Sequence, residues 1–263
     1  MNSGYLMPFD AISKNVVKDI VTGISYLSGT GFFVYFPPFE NEIFYITSRH
    51  CLISEHNGDF NNSLLISYAS YNHMDYSVYG KVEFSNYIEI SETKNELEDI
   101  IIFRVSNEIS QLKKQILLNR SLKLFHIDNV DNILRLLSNS RNNGKVRIIG
   151  FPTKSETELT YTENYEIESL RLHPRGLNGW LKISSYGIYD IVDTNWEEET
   201  LGGFSGSPAL AILSDGNAHN IMIIGVVIAG DNNKKIVSFV SINPVTQAIA
   251  QILCQEGYFV PIE

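Results

Sequence analysis

The sequence predicts an all-β protein whose antiparallel sheets close into barrels or sandwiches. Eleven short apolar runs, rich in Ile, Val, Phe and Tyr, are distributed along the 263 residues, and Gly, Asn, Asp, Pro or Ser separates them. Few helical spacers lie between the runs, which argues against alternating strands and helices. The length suits one large domain or two small ones that share an interface. The runs are ISYL, GFFVYF, IFYITS, SLLISYAS, SVYGKVEF, DIIIFRV, KVRIIGFP, WLKISSYGIYDIV, PALAIL, IMIIGVVIA and IVSFVSI.

Three segments are predicted to be helical. Residues 9–20 and 128–138 carry apolar side chains at the spacing of an amphipathic helix. Residues 243–257 give the clearest pattern, with Asn243 as the N-cap, a proline in the first turn and Gly257 as the stop. A C-terminal helix is therefore the firmest local expectation.

Composition and charge restrict the classes of partner. Hydrophobic residues make up 44% and charged residues 19% of the chain, as in ordinary globular proteins. The net charge of −10 repels phosphate backbones and anionic lipid, so we expect neither a nucleic acid nor a membrane as partner.

The sequence shows no export signal and no run of the about 18 apolar residues that a membrane helix needs, so we expect a cytoplasmic protein. Cys51 and Cys254 are expected as packed free thiols.

The stretch LGGFSGSPAL, residues 201–210, places Ser205 on a glycine-rich turn directly before an apolar run. Glycine permits backbone conformations that a side chain forbids, so this composition is typical of a tight turn that enters a buried strand. A Gly/Ser turn with no chemistry would have the same composition. A serine nucleophile needs a base, and that base needs an acid to orient it.

His50 and Asp99 are the candidate partners of Ser205. His50 follows the apolar run of NEIFYITSRHCLIS, where the chain leaves a strand, and Asp99 stands immediately before the run IIIF. A carboxylate at the mouth of a buried strand needs a hydrogen-bond donor, which an imidazole N–H supplies. Alternatively, Asp99 merely begins a strand. The other histidines lie among polar residues and are interpreted as surface groups: His56, His73, His126, His173 and His219.

Taken together, these motifs resemble the trypsin-like serine peptidases of the chymotrypsin fold, in an intracellular bacterial-type branch. The resemblance is carried by SGTGFFVYF with FYITSRHCL, by DIIIFRV, by GGFSGSPAL, and by IGVVIAG with IVSFVSINPVTQAIAQIL. It implies two six-stranded antiparallel β-barrels with a C-terminal helix, and a catalytic triad of His50, Asp99 and Ser205. By the same resemblance, the backbone N–H groups of Gly203 and Ser205 form the oxyanion hole.

The resemblance also implies a division of the chain. The divisions are an N-terminal, helical extension at 1–21, a first barrel at 22–120 with His50 and Asp99, an inter-barrel linker at 121–145, and a second barrel at 146–263 with Ser205 and the closing helix. Within the nucleophile loop, Gly203 presents its peptide to the oxyanion, while Gly206 and Ser207 are small enough for the histidine ring and the substrate to approach.

Several positions depart from the family pattern or bear on substrate binding. Phe204 stands where many secreted members have the aspartate that pairs with a newly cleaved N-terminus, so we do not expect activation by that route. Ile228 replaces a serine that often supports the triad aspartate. Ala229 and Gly230 are expected to pair with the substrate chain in β fashion. Glu199 would lie at the base of the specificity pocket and favour Lys or Arg, or else belong to a solvated acidic loop.

The function that the resemblance implies is a serine endopeptidase that works through an acyl-enzyme and needs no cofactor and no metal. Its partners would be a protein or peptide substrate and a regulatory partner protein. Many cytosolic bacterial relatives are triggered effectors, so a role in bacterial defence against phage also follows from the resemblance. The alternative is a catalytically silent protease-fold module that binds peptides or a partner protein. An esterase of the α/β-hydrolase fold is excluded by residue order and by the strand pattern.

Overall fold

The computed structural model describes most of the chain. The described residues are 8–19, 22–37, 39–54, 58–61, 63–68, 74–75, 80–90, 99–139, 145–153, 157–163, 167–185, 187–196, 200–214 and 219–258. Their strands build two large antiparallel sheets, one in each half of the chain, and a small third sheet.

The first half forms a curled sheet of seven strands in the order β4-β1-β2-β3-β7-β6, with β8 paired in parallel to β2. The two ends of the sheet meet where Ser67, just after β4, bridges Lys81, just before β6. The strands are β1 (Ile12–Lys18), β2 (Ser25–Phe36), β3 (Phe39–Ser48), β4 (Leu64–Leu65), β6 (Phe84–Glu89), β7 (Ile100–Val105) and β8 (Leu122–Lys123).

Strand β7 of the first sheet is buried on both faces, which explains its continuous apolar run. Every residue of β7 is buried, and alternate residues enter different clusters. Ile100 and Ile102 pack in the cluster that extends into the second half, whereas Ile101 and Phe103 pack inside the first sheet. A strand of this kind loses the alternation of apolar and polar residues that a half-exposed strand shows.

The second half forms a closed barrel of six strands in the order β12-β13-β16-β15-β14-β9. Its strands are β9 (Val146–Gly150), β12 (Arg175–Ser185), β13 (Ile188–Val192), β14 (Pro208–Ser214), β15 (His219–Asp231) and β16 (Ile236–Ser241). A separate three-stranded sheet, in the order β10-β11-β5, joins the two halves of the chain. It consists of β5 (Met74–Asp75), β10 (Thr157–Tyr161) and β11 (Ile167–Leu172).

Four helices occur in the described residues: α1 (Pro8–Ala11), α2 (Gln111–Asn119), α3 (Ile127–Asn139) and α4 (Asn243–Gln255). The helices predicted near 128–138 and 243–257 are confirmed as α3 and α4, but Asn243 is not the N-cap. Ile242 precedes the helix instead, and the amide of Asn243 donates to Asp131 of α3 at 2.6 Å. None of the described helices is long and apolar enough to cross a lipid bilayer.

The helix predicted over residues 9–20 is wrong. Only α1, a single turn, is helical, and residues 12–18 form β1 between β2 and β4, inside the first sheet rather than in an extension before it. The apolar spacing resembled that of a helix because β1 is buried on both faces. In addition, the pairing of β1 with β2 shifts register between Lys14 and Val16. The predicted linker at 121–145 contains β8 and α3.

The predicted fold class is confirmed: the chain is mostly β, with antiparallel sheets arranged as in the chymotrypsin-like double barrel and a closing C-terminal helix. One detail differs, because the first sheet has seven strands rather than six. Both cysteines are free, as expected, but only Cys51 is buried and Cys254 is exposed.

Candidate active site

His50 and Asp99 lie together at one end of the first sheet. His50 belongs to the 3-10 turn Arg49–Leu52 that follows β3, and Asp99 immediately precedes β7. Ser48 and Ile100 are direct partners in the ladder between these strands, so the histidine turn and the aspartate leave the sheet at the same edge. The pairing of β3 with β7 therefore brings His50 and Asp99 together, although they are 49 positions apart in the sequence.

The Asp99 carboxylate accepts two hydrogen bonds from His50. The backbone N–H of His50 donates to Oδ1 at 2.9 Å, and ring Nδ1 lies 2.7 Å from Oδ2. A carboxylate can only accept, so we assign the ring proton to Nδ1. This tautomer leaves Nε2 of the neutral ring with a lone pair that can accept a proton.

The same contacts make His50 more basic. The hydrogen bond to Asp99 is the largest cause, with a further contribution from Cys51, and together they raise the pKa of His50 to about 10. The side chain is 47% exposed, so water screens part of this effect. We therefore expect the imidazole of His50 to titrate above its usual pKa of 6.5.

The loop that carries Ser205 is held by the first sheet. The N–H of Thr30 on β2 donates to the Ser205 carbonyl at 2.8 Å, and the Cys51 thiol, next to His50 in the chain, lies 3.7 Å from the same oxygen. Ser48 anchors the loop indirectly, because its hydroxyl donates at 2.8 Å to the Val227 carbonyl, which also accepts the N–H of Gly206 at 2.8 Å. The structure thus brings the serine loop onto the turn that carries His50.

Within the described residues, no hydrogen bond joins the Ser205 hydroxyl to the His50 ring. Hydrogen bonds between a base and its nucleophile are often long or poorly aligned when no substrate is bound. The site is therefore defined by the hydrogen bonds of His50 with Asp99 and by the contacts of the Ser205 loop with the first sheet.

Hydrogen bonds fix the orientation of the two peptide bonds that join Gly202 to Gly203 and Phe204 to Ser205. The Gly202 carbonyl accepts the N–H of Thr153 at 2.8 Å, and the Phe204 carbonyl accepts the N–H of Ser207 at 2.9 Å. In a trans peptide the N–H points opposite to the C=O, so the N–H groups of Gly203 and Ser205 point away from these partners. In the described part of the chain neither N–H has an acceptor, and both are free to bind an anion.

Two glycines in the loop are required by backbone geometry. Gly203 has φ +93°, and a Cβ there would lie 2.3 Å from the Phe151 carbonyl oxygen. Gly206 has φ +82°, and a Cβ there would lie 2.0 Å from the Thr30 carbonyl oxygen and 2.9 Å from the Ser48 nitrogen. The sequence-based reason given for Gly206 is therefore wrong in part, since its close neighbours are the backbone of the first sheet.

Phe204 anchors the loop by packing. Its side chain is 1% exposed and meets Trp196 edge-on, with ring centroids 5.0 Å apart and planes at 86°. The indole N–H of Trp196 donates to the Thr200 carbonyl at 2.8 Å, which fixes the start of the same loop. The residue directly before Ser205 is thus held by an apolar contact.

The residues predicted to contact substrate are partly described. Ile228 is half-buried against the core, at a register shift between Val227 and Ala229 of β15. Ala229 and Gly230 are exposed, and β14 pairs with β15 only as far as Val226, so no described strand covers the other edge of these residues. Glu199 lies outside the described residues.

Sequence reasoning missed Thr30 and Lys14. The Thr30 hydroxyl donates to the Gly203 carbonyl at 2.8 Å, and Lys14 donates to the Phe151 carbonyl at 3.0 Å, so both touch the surroundings of the serine loop. A hint was present for Lys14, because a lysine inside the run from Ala11 to Val17 is unusual for a buried segment. Nothing in the sequence singled out Thr30.

Comparison with known proteins gives likenesses among solved structures. No protein-family model and no curated protein matches the chain. Among solved structures, the chain is similar to a Glu endopeptidase determined in complex with MPD, with 15% identity, 95% of each chain covered and a TM-score of 0.49. At this identity neither the activity nor the specificity of that protein extends to this chain.

Proposed function

We propose that the protein is a serine endopeptidase, in which Ser205 is the nucleophile, His50 the general base and acid, and Asp99 the residue that orients His50. The observation that carries the proposal is the double hydrogen bond of His50 to Asp99, at a turn that contacts the Ser205 loop. It supports an imidazole held in the tautomer that a general base needs. The two unpaired N–H groups in the loop support the same reaction.

Acylation would proceed in two steps. The Ser205 hydroxyl oxygen attacks the scissile carbonyl carbon while His50 Nε2 takes its proton, and the tetrahedral oxyanion accepts hydrogen bonds from the N–H groups of Gly203 and Ser205. His50 then gives the proton to the leaving amine nitrogen as the C–N bond breaks, which leaves an ester on Ser205. Asp99 stays ionised and stabilises the imidazolium.

Deacylation would repeat this sequence with water. His50 takes a proton from a water molecule, whose oxygen attacks the ester carbon, and returns the proton to the Ser205 oxygen as the acid product leaves.

The free edge at Ala229 and Gly230 would hold the substrate as an added strand next to the reacting carbonyl. The basic specificity suggested by Glu199, the regulatory partner and the role in phage defence stay predictions.

A second candidate function is a silent protease-fold module that binds peptides. One observation favours it: the half-buried, apolar Ile228 stands where, by the resemblance, a serine often supports Asp99. Such a module would use the same free edge of β15 but would not cleave what it binds.

A peptide-library digestion separates the two functions. We expect the wild-type protein to cleave and Ser205→Ala to bind the same peptides without cleaving them. Ser185→Ala, which removes an exposed hydroxyl at the end of β12, is the matched control and should keep full activity. Peptide binding by the wild type with no cleavage at any pH would favour the silent module.

A further inference from the structure

Lys14 is a buried cation next to the candidate active site. Its side chain lies on β1 and the residue is 4% exposed. Burial lowers the pKa of Lys14 to about 8, and the nearby Cys51 opposes this shift. Its Nζ donates to the Phe151 carbonyl at 3.0 Å, and none of the described carboxylates pairs with it. A buried charge with one neutral acceptor is costly and calls for an explanation.

Lys14 and Thr30 hold Phe151 from both sides. The two residues are direct partners in the ladder between β1 and β2, so their side chains project from the same face of the sheet. Lys14 binds the carbonyl of Phe151, and the Thr30 hydroxyl accepts the N–H of Phe151 at 3.0 Å. Both backbone polar groups of one residue in the second half are thus taken by neighbouring side chains of the first sheet.

Phe151 lies directly against the oxyanion loop. Its carbonyl oxygen is the atom that a Cβ on Gly203 would meet at 2.3 Å, and Thr153, two residues on, donates the hydrogen bond that directs the Gly202 carbonyl. The turn at 151–153 therefore sets the direction in which the Gly203 N–H points.

We propose that Lys14 is a positioning residue that holds the 151–153 turn against Gly203 and so keeps the N–H of Gly203 directed toward the proposed oxyanion site. The inference rests on the proposed function. The ammonium group of Lys14, on β1 of the first sheet, donates its hydrogen bond directly to this turn. A methionine would fill the same space without the desolvation cost, but it has no hydrogen to donate to Phe151.

Lys14→Met tests the proposal through kinetics and stability together. Because an uncompensated buried charge is removed, we expect the variant to unfold at the same or higher denaturant concentration. We expect kcat to fall roughly 10- to 100-fold at unchanged KM, less than the loss of a whole oxyanion donor. Lys18→Met, at the other end of β1, should keep the wild-type kcat. An unchanged kcat in Lys14→Met overturns the proposal, and so does loss of the fold, because Lys14 would then serve the whole structure.

A second readout does not depend on activity. Amide hydrogen exchange in residues 201–207 should accelerate in Lys14→Met but not in Lys18→Met, while exchange in the barrel strands stays as in the wild type. Unchanged exchange in the loop overturns the inference. If the wild type proves inactive, the proposed function fails, and the exchange measurement still decides whether Lys14 positions the loop.

Discussion

Asp99 receives both the backbone N–H and the ring Nδ1 of His50, at 2.9 Å and 2.7 Å. An amide at this position would present an N–H to Nδ1 or weaken the contact, and would favour the wrong tautomer. We therefore expect Asp99→Asn to keep the fold and to lower kcat by roughly 10³- to 10⁴-fold.

Asp128→Asn is the matched control, because Asp128 is exposed and its carboxylate lies 3.6 Å from the ring of His126 rather than that of His50. It should leave kcat unchanged. Equal activity of Asp99→Asn and the wild type would show that Asp99 does not orient a catalytic base.

The second prediction concerns pH. The contact with Asp99 raises the pKa of His50 above its usual 6.5, and only the neutral ring can take the serine proton. Activity should therefore be low below that pKa and rise as the pH increases through it, so the acid limb of kcat/KM should have its midpoint above 6.5. In Asp99→Asn the residual activity should show an acid limb shifted toward lower pH. A wild-type midpoint at or below 6.5 would contradict this assignment.

Gly206 tests the contact between the serine loop and the first sheet. In Gly206→Ala the new Cβ would collide with the Thr30 carbonyl oxygen at 2.0 Å, in addition to the strain of a positive φ. We expect a loss of about 2–4 kcal/mol in the free energy of unfolding. Gly23 has φ +72° with nothing within 4 Å, so Gly23→Ala should cost only about 1 kcal/mol. Equal losses of stability in Gly206→Ala and Gly23→Ala would show that the close approach of Gly206 to Thr30 does not contribute to stability.

Phe204 tests whether packing holds the loop. Phe204→Ala removes the edge-on contact with Trp196 and should cost about 3–5 kcal/mol in stability. Because the proposed oxyanion donors, Gly203 and Ser205, flank this residue, kcat should also fall under conditions where the variant is folded. Phe239→Ala removes an equally buried ring, stacked on Tyr189 in the barrel, and should lose stability without a matching loss of kcat. Similar kcat losses in both variants would argue against a specific role for Phe204.

The sequence was sufficient for the fold class, and it named His50, Asp99 and Ser205, whose catalytic roles stay predictions. The apolar runs that become β2, β3, β7 and β15 are long and rich in β-branched and aromatic side chains, so their period and composition favour strands. α3 and α4 follow from apolar spacing, and α4 also from its proline and glycine.

The errors have physical causes. β1 has both faces buried and a register shift, so its apolar residues fall at a spacing that also suits a helix. Short strands such as β4 and β8 have two residues each, and their pairing depends on partners far along the chain. The contacts of Thr30 with Gly203 and of Lys14 with Phe151 join residues 173 and 137 positions apart, which no local pattern encodes.

The most direct test of the central claim, that His50 activates Ser205, is mass spectrometry of the protein after reaction with a fluorophosphonate. We expect one adduct, mapped to Ser205, that forms rapidly in the wild type, slowly in His50→Gln and not at all in Ser205→Ala. No adduct on the wild type at any pH, or an equal rate in His50→Gln, would contradict the account.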